Sequence, residues 1–192
     1  MSKKYKVLAL IGKAGSGKDT LLRAVCKSNL SIHEVVSYTT RDPREGEVNG
    51  ENYYFVPVEE FTKLVLDGAM IEACEFNGWF YGTGYESLRT GMVNVGVFNP
   101  AGIEAMLDNP DVELKVAYVR AANKERLLRQ LNREENPDCR EIIRRFRTDE
   151  EDFSDLDFPY MILYNDTLAD MAVAIERLLV TIDSWQTEGN SN

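Results

Sequence analysis

Histidine is almost absent: His33 is the only one in 192 residues. It stands in a polar connection ahead of a strand-like segment, so no catalytic role is assigned to it. Cysteine is scarce as well. Cys26, Cys74 and Cys139 are widely spaced, form no CxxC pair and are odd in number. That excludes a disulfide framework and points to reduced thiols. No apolar run approaches the length that spans a bilayer, and the polar, basic start Met1–Lys6 does not resemble a secretory leader. A cytoplasmic protein without a membrane partner is the expectation. Positive charge is in deficit, with 22 Lys and Arg against 32 Asp and Glu, a net charge of −10. Such a chain has no electrostatic footprint for a nucleic-acid backbone. An anionic ligand must therefore be met by basic residues gathered locally. No internal repeat or low-complexity tract is present.

What remains is the composition of a globular domain, 44% hydrophobic and 28% charged, at a length suited to one core. Lys6–Ile11 is apolar and rich in branched residues, which predicts a buried strand. A glycine-rich turn and a helical pattern over Thr20–Lys27 follow. Apolar runs recur at Met92–Phe98, Val112–Val119 and Tyr160–Tyr164. Helical stretches follow each, at Ala101–Leu107, Lys124–Arg133 and Leu168–Ile182. Strands alternating with helices predict an α/β fold, a parallel sheet with helices on both faces. Two segments break the rhythm. Residues 37–91 hold short strands (Tyr53–Val56, Met70–Phe76) around a helix at Glu59–Leu66 and read as an inserted subdomain. Residues 121–150 are charged and helical, interrupted at Asn136-Pro137, and read as a mobile lid. The core is then 1–36, 92–120 and 151–185, with a polar, flexible tail at 186–192.

The most informative stretch is Gly12-Lys13-Ala14-Gly15-Ser16-Gly17-Lys18-Asp19-Thr20. It follows a strand and opens a helix. Glycines let backbone N–H groups converge on phosphate oxygens, and the helix presents its positive end to the same anion. Lys18 supplies a cation for the β- and γ-phosphates of a bound nucleotide. The spacing is that of a P-loop, except that Asp19 stands where Ser or Thr would bind magnesium, with Thr20 one position later. Asp19 either reaches the metal or merely sits in the first helical turn, where a carboxylate gains about 0.3–1 kcal/mol.

Ser37-Tyr38-Thr39-Thr40-Arg41-Asp42-Pro43-Arg44-Glu45-Gly46-Glu47, with Asn49-Gly50 and Tyr53-Tyr54-Phe55-Val56, closely resembles the GMP-binding segment of guanylate kinases. Ile71-Glu72, Tyr81-Gly82-Thr83, Arg144-Arg145 and Asn165-Asp166 fit the same family, so the resemblance covers about residues 5 to 180. It implies a P-loop NTPase fold with an NMP-binding subdomain at 37–91 and a lid at 121–150. It also implies ATP-dependent phosphorylation of GMP or dGMP with Mg2+. ATP would lie on Gly12, Lys13, Ala14, Gly15, Ser16, Gly17, Lys18, Asp19, Thr20 and Asn165, with Asp19 and Thr20 as metal ligands. The acceptor phosphate would be held by Arg41, Arg44, Tyr53 and Tyr81, and the base read by Ser37, Glu72, Thr83 and Asn99. Arg41 and Arg44, kept apart by a stiff proline, suit forked phosphate contacts; in isolation they would read as solvated loop charges. Glu72 can accept both guanine donors, N1–H and N2–H2; otherwise it is an exposed strand acid.

The chain departs from the family in three places. The strand before Gly102 ends in Val97 and Asn99, where guanylate kinases carry two acids. The connection from Thr83 to Gly91 is shorter. The lid arginines are loosely placed: Arg129 and Arg133 would share a helical face at i, i+4 spacing, and Arg145 aligns better. Together with Lys18 these are the candidate catalytic groups, or else a solvated face paired with Glu134, Glu135 and Glu141. The expected partners are small nucleotides, with the protein a monomer or homodimer. The rival readings are a monophosphate kinase of different or broader base specificity, and a catalytically weakened binding module.

Overall fold

The computed structural model describes residues 4–133 and 135–188; Glu134 and the end of the expected tail, 189–192, lie outside it. The strands are β1 (Tyr5–Ile11), β2 (Ile32–Glu34), β3 (Tyr38–Thr39), β4 (Tyr54–Phe55), β5 (Met70–Phe76), β6 (Trp79–Gly84), β7 (Val93–Val97), β8 (Val112–Arg120) and β9 (Met161–Tyr164). The helices are α1 (Lys18–Ser28), α2 (Val58–Leu66), α3 (Pro100–Leu107), α4 (Asn123–Leu131), α5 (Cys139–Asp152) and α6 (Leu168–Glu188). One sheet has five strands in the order β2-β7-β1-β8-β9 and a second has four, β4-β3-β6-β5. The chain divides into two compact units, 1–9 with 31–115 and 10–30 with 116–192, so β1 and β8 each run from the first into the second.

In the first unit β2 pairs with β7 in parallel. β5 and β6 form an antiparallel hairpin in which Glu72 faces Thr83 and Phe76 faces Trp79. Its turn is Asn77-Gly78, both at positive φ (55° and 80°), the two-residue turn whose twist suits a hairpin. β6 was not expected from the sequence, although Asn-Gly between two apolar runs is its signal. α3 starts cleanly because Asn99 caps it, its side chain accepting from Gly102 N–H, and Pro100 takes the first turn.

In the second unit β8 pairs with β9 in parallel, Ala117 against Met161 through Arg120 against Tyr164. α1 and α6 pack together. α6 buries Ala174, Leu178, Ile182 and Trp185, a stripe at helical spacing. The helix continues through Glu188, so Gln186–Glu188 are helical where a flexible tail was expected. α4 stops at Leu131, so Arg133 lies beyond it and the expected i, i+4 face of Arg129 and Arg133 does not form. α5 restarts after Pro137 with Asp138 as its cap, accepting from Arg140 and Glu141 N–H.

Candidate nucleotide site

β1 ends in five fully buried residues, Val7 to Ile11, and delivers the chain into the glycine loop. Gly15 and Gly17 adopt φ of +77° and +91°, and a Cβ on Gly15 would lie 2.5 Å from the Arg126 carbonyl oxygen. A Cβ on Gly17 would collide with the Asn165 amide. Side chains are therefore excluded at both by conformation and by space. Lys18 folds back over the loop, its Nζ donating to Gly12 O at 2.6 Å and Lys13 O at 3.3 Å. Ser16 Oγ is buried with no partner among the described residues. It lines a small cavity with Lys13, Tyr118, Arg120 and Arg126.

The other loop residues are engaged with their own unit. Lys13 pairs with Glu150 at 2.7 Å. Ala14 N–H donates to Asp149 Oδ2 at 2.8 Å. Asn165, buried, donates its amide to Ser16 O at 2.7 Å. Asp19 and Thr20 are exposed on the first turn of α1. Among the described residues no three His, Cys, Asp or Glu side chains group as a metal cage. A magnesium ion bound mainly by phosphate oxygens and water, with one protein carboxylate, needs no such cage, and Asp19 fits that donor set.

The three arginines expected in the lid stand apart in their contacts. Arg129 donates to the carbonyls of Gly15 and Ser16 at 3.3 Å each, and to Asn165 O and Asp166 O at 2.6 and 3.2 Å. Arg145 binds Glu141 at 2.8 Å and Arg144 binds the same carboxylate at 2.7 Å. The hydrogen bond from Arg144, helped by Arg145, pulls the Glu141 carboxyl down to about 2. Arg133 is exposed.

In the first unit the expected base-reading residues fall close together. Ser37 Oγ and Thr83 Oγ1 are 2.9 Å apart and buried. Glu72 is 6% exposed and its Oε2 has no partner among the described residues. Burial pushes its carboxyl up to about 7, against hydrogen bonds from the Thr83 side chain and backbone that favour the ionised form. A Cβ on Gly102 would lie 3.3 Å from Glu72 Oε2, 3.4 Å from Asn99 Oδ1 and 3.7 Å from Cys74 Sγ, so these three groups border one spot. Asn99 Oδ1 is taken by Gly102 N–H at 2.7 Å and the Cys74 thiol at 3.5 Å. Both partners are donors, which assigns the amide's orientation.

The expected phosphate-holding residues form a second cluster. The Tyr53 and Tyr81 rings meet edge-on at 6.0 Å, and the Arg41 guanidinium lies 5.7 Å from the Tyr53 ring centre. Arg41 is buried and forked onto Glu47. Arg44 offers its backbone N–H to the same carboxylate at 2.8 Å. Burial works against the charge of Glu47, but these bonds hold its carboxyl below the usual range. Glu47, Arg126, Asp149 and Cys74 were given no site role from the sequence. Glu47 alone carried a local signal, the acid closing the Arg-rich turn.

A strand, a glycine loop gathered around a lysine, and a helix, set in a sheet with parallel pairs and flanking helices, define the P-loop nucleotide-binding class of α/β proteins. Within that class the chain belongs to the guanylate kinase family, whose model, described as guanylate kinase, matches residues 4–181. It is 45% identical over 83 residues to a guanylate kinase of a Nostoc species, covering 43% of this chain and 42% of the relative. The figures for a guanylate kinase of Sus scrofa are the same. The chain thus spans less than half the length of these curated relatives. A crystal structure of guanylate kinase from Anaplasma phagocytophilum superimposes with a TM-score of 0.66 at 22% identity, over 96% of this chain and 88% of that one. That likeness is one of fold. No helix among the described residues is long and apolar enough to cross a membrane.

Proposed function

We propose that this chain is an ATP-dependent kinase that phosphorylates GMP or dGMP to the diphosphate by in-line transfer. The observation that carries the reading is Glu72, a buried carboxyl with an unpaired Oε2 among the described residues, in a chain that also holds the glycines and lysine of a phosphate loop. Guanine presents N1–H and N2–H2 side by side, and one carboxylate accepts both. Adenine in that place would leave the acid unpaired, a cost of about 1–3 kcal/mol or more.

In this reading Lys18 and the Gly12–Thr20 amides hold the triphosphate, and Asn165 supports the loop through Ser16 O. Residues 37–91 carry the acceptor. Arg41, Arg44, Tyr53 and Tyr81 bind its phosphate, and Ser37, Thr83, Glu72 and Asn99 border its base. Residues 121–150 act as the lid, with Arg129, Arg133 and Arg145 bringing positive charge to the transferring group, where charge spreads over phosphoryl oxygens. Asp19, with Thr20, would hold Mg2+, which supplies charge neutralisation of the polyphosphate when bound. The three cysteines are free, in keeping with a cytoplasmic enzyme whose partners are small nucleotides and which acts as a monomer or homodimer.

ADP release with ATP, magnesium and a panel of GMP, dGMP, AMP, CMP, dTMP and IMP tests this. Turnover confined to GMP and dGMP is expected. Turnover on another base would overturn the role of Glu72. Silence across the panel, with ATP still binding, would overturn the kinase reading.

A further inference from the structure

The phosphate loop carries two carboxylates from α5. Asp149 Oδ2 accepts Ala14 N–H at 2.8 Å and bonds closely to Arg126 Nη2. Glu150 Oε2 lies 2.7 Å from Lys13 Nζ, and its Oε1 3.8 Å from Arg126 Nη1. Arg126 is 1% exposed and completes the clamp from the other side, its Nε donating to Ala14 O at 2.9 Å. The Phe146 ring of α5 lies 4.4 Å from its guanidinium. Both backbone polar groups of Ala14, its N–H and its C=O, are thus held by one ion pair. The charge of Asp149 also feels Lys18 and Lys13, the cations that a polyphosphate would use.

We propose that Asp149 and Glu150 form an acidic latch, an autoinhibitory contact in which the lid helix competes with polyphosphate for the loop. A carboxylate on a loop N–H and another on a loop lysine take up the groups that attract phosphate oxygens. A triphosphate arriving there must displace the two acids or bear their repulsion. The acids act through charge, so the effect weakens as salt screens it, more for exposed Glu150 than for Asp149. This inference rests on the loop binding a nucleoside triphosphate.

The test is ATP affinity by calorimetry, with and without magnesium, for the whole chain and for Glu150→Gln, Asp149→Asn and the pair. Glu150 is exposed, so its replacement keeps the fold even if Asp149→Asn does not; Asn at 149 keeps an oxygen for Ala14 N–H. Each single variant should tighten ATP binding several-fold and the pair about tenfold, the gain shrinking as salt rises. Hydrogen exchange in α5 should rise when ATP binds to the unaltered protein. Unchanged or weaker affinity in folded variants, while the unaltered chain binds ATP, would overturn the latch alone. If neither the unaltered chain nor any folded variant binds ATP, the latch and the nucleotide reading fall together.

Discussion

Arg41 lays both terminal nitrogens on the Glu47 carboxylate, at 3.0 and 3.2 Å. The pair is nearly closed to solvent, with side chains 6% and 8% exposed. Arg41 Nη1 also donates to Asp42 O at 2.6 Å, while its Nε has no partner among the described residues. An arginine proposed to grip a phosphate is therefore already oriented by an acid six positions along the chain.

Removing that acid leaves a buried, uncompensated cation. Glu47→Ala should lower stability by about 3–5 kcal/mol, measured by urea unfolding. Glu47→Gln, which keeps an acceptor, should cost less. The carboxyl is held below its usual value, so its contribution is complete above the unfolded-state pKa of about 4.5 and disappears as pH falls through the lower folded value. The stability gap between Glu47→Gln and the unaltered protein should close on acidification. A gap that persists far below pH 4 would mean that packing, not charge, makes the pair.

Glu72 has the opposite sign. Its folded carboxyl titrates at about 7 against 4.5, so the folded state holds a proton that the unfolded chain has lost. No penalty exists below about pH 4.5; it grows as pH rises to 7 and is complete above, up to about 3 kcal/mol at 1.36 kcal/mol per pH unit. Glu72→Gln should therefore become more stable than the unaltered protein progressively between those values, read from melting temperatures across pH. If GMP binds the ionised acid as proposed, its uptake should release a fraction of a proton near pH 7 that rises toward one as pH falls, seen as a buffer-dependent binding enthalpy. A pH-independent stability difference would remove the buried-acid reading.

Asn99 joins a helix cap to the edge of the cluster proposed to read the base. Asn99→Ala should cost about 1 kcal/mol by freeing Gly102 N–H, measured by thermal or urea unfolding. Asn99→Asp keeps the cap and should recover most of that loss, despite placing a second acid near Glu72. If Asn99→Ala is neutral, the cap contributes nothing and the amide's orientation is set by Cys74 alone.

The parts legible in the sequence were those with short-range causes. β1, β5, β7, β8 and β9 were visible as apolar runs, β4 as a short strand-like piece, α1, α2, α3, α4 and α6 as helical stretches, and the phosphate loop by its glycine spacing. The break between α4 and α5 was visible in Asn136-Pro137; α4 ends at Leu131 and α5 starts at Cys139. The very short strands β2 and β3 were not visible, because two or three residues cannot display a period.

The sequence by itself determined the class of protein: the order of strand, glycine loop, lysine and helix, the Arg-rich turn from Ser37 to Glu47, and Glu72 ahead of Tyr81-Gly82-Thr83. Each depends on residues close in the chain, where backbone conformation and side-chain type act directly. Tertiary structure alone decided what those groups touch. Asp149 reaches Ala14 across 135 positions and Asn165 reaches Ser16 across 149. Arg129 turns onto loop carbonyls instead of outward. Glu72 becomes a buried acid where β5 pairs with β6 and its Oε2 borders Gly102 of α3. Such pairings follow from burial, where a charge or amide must find a partner wherever the fold supplies one.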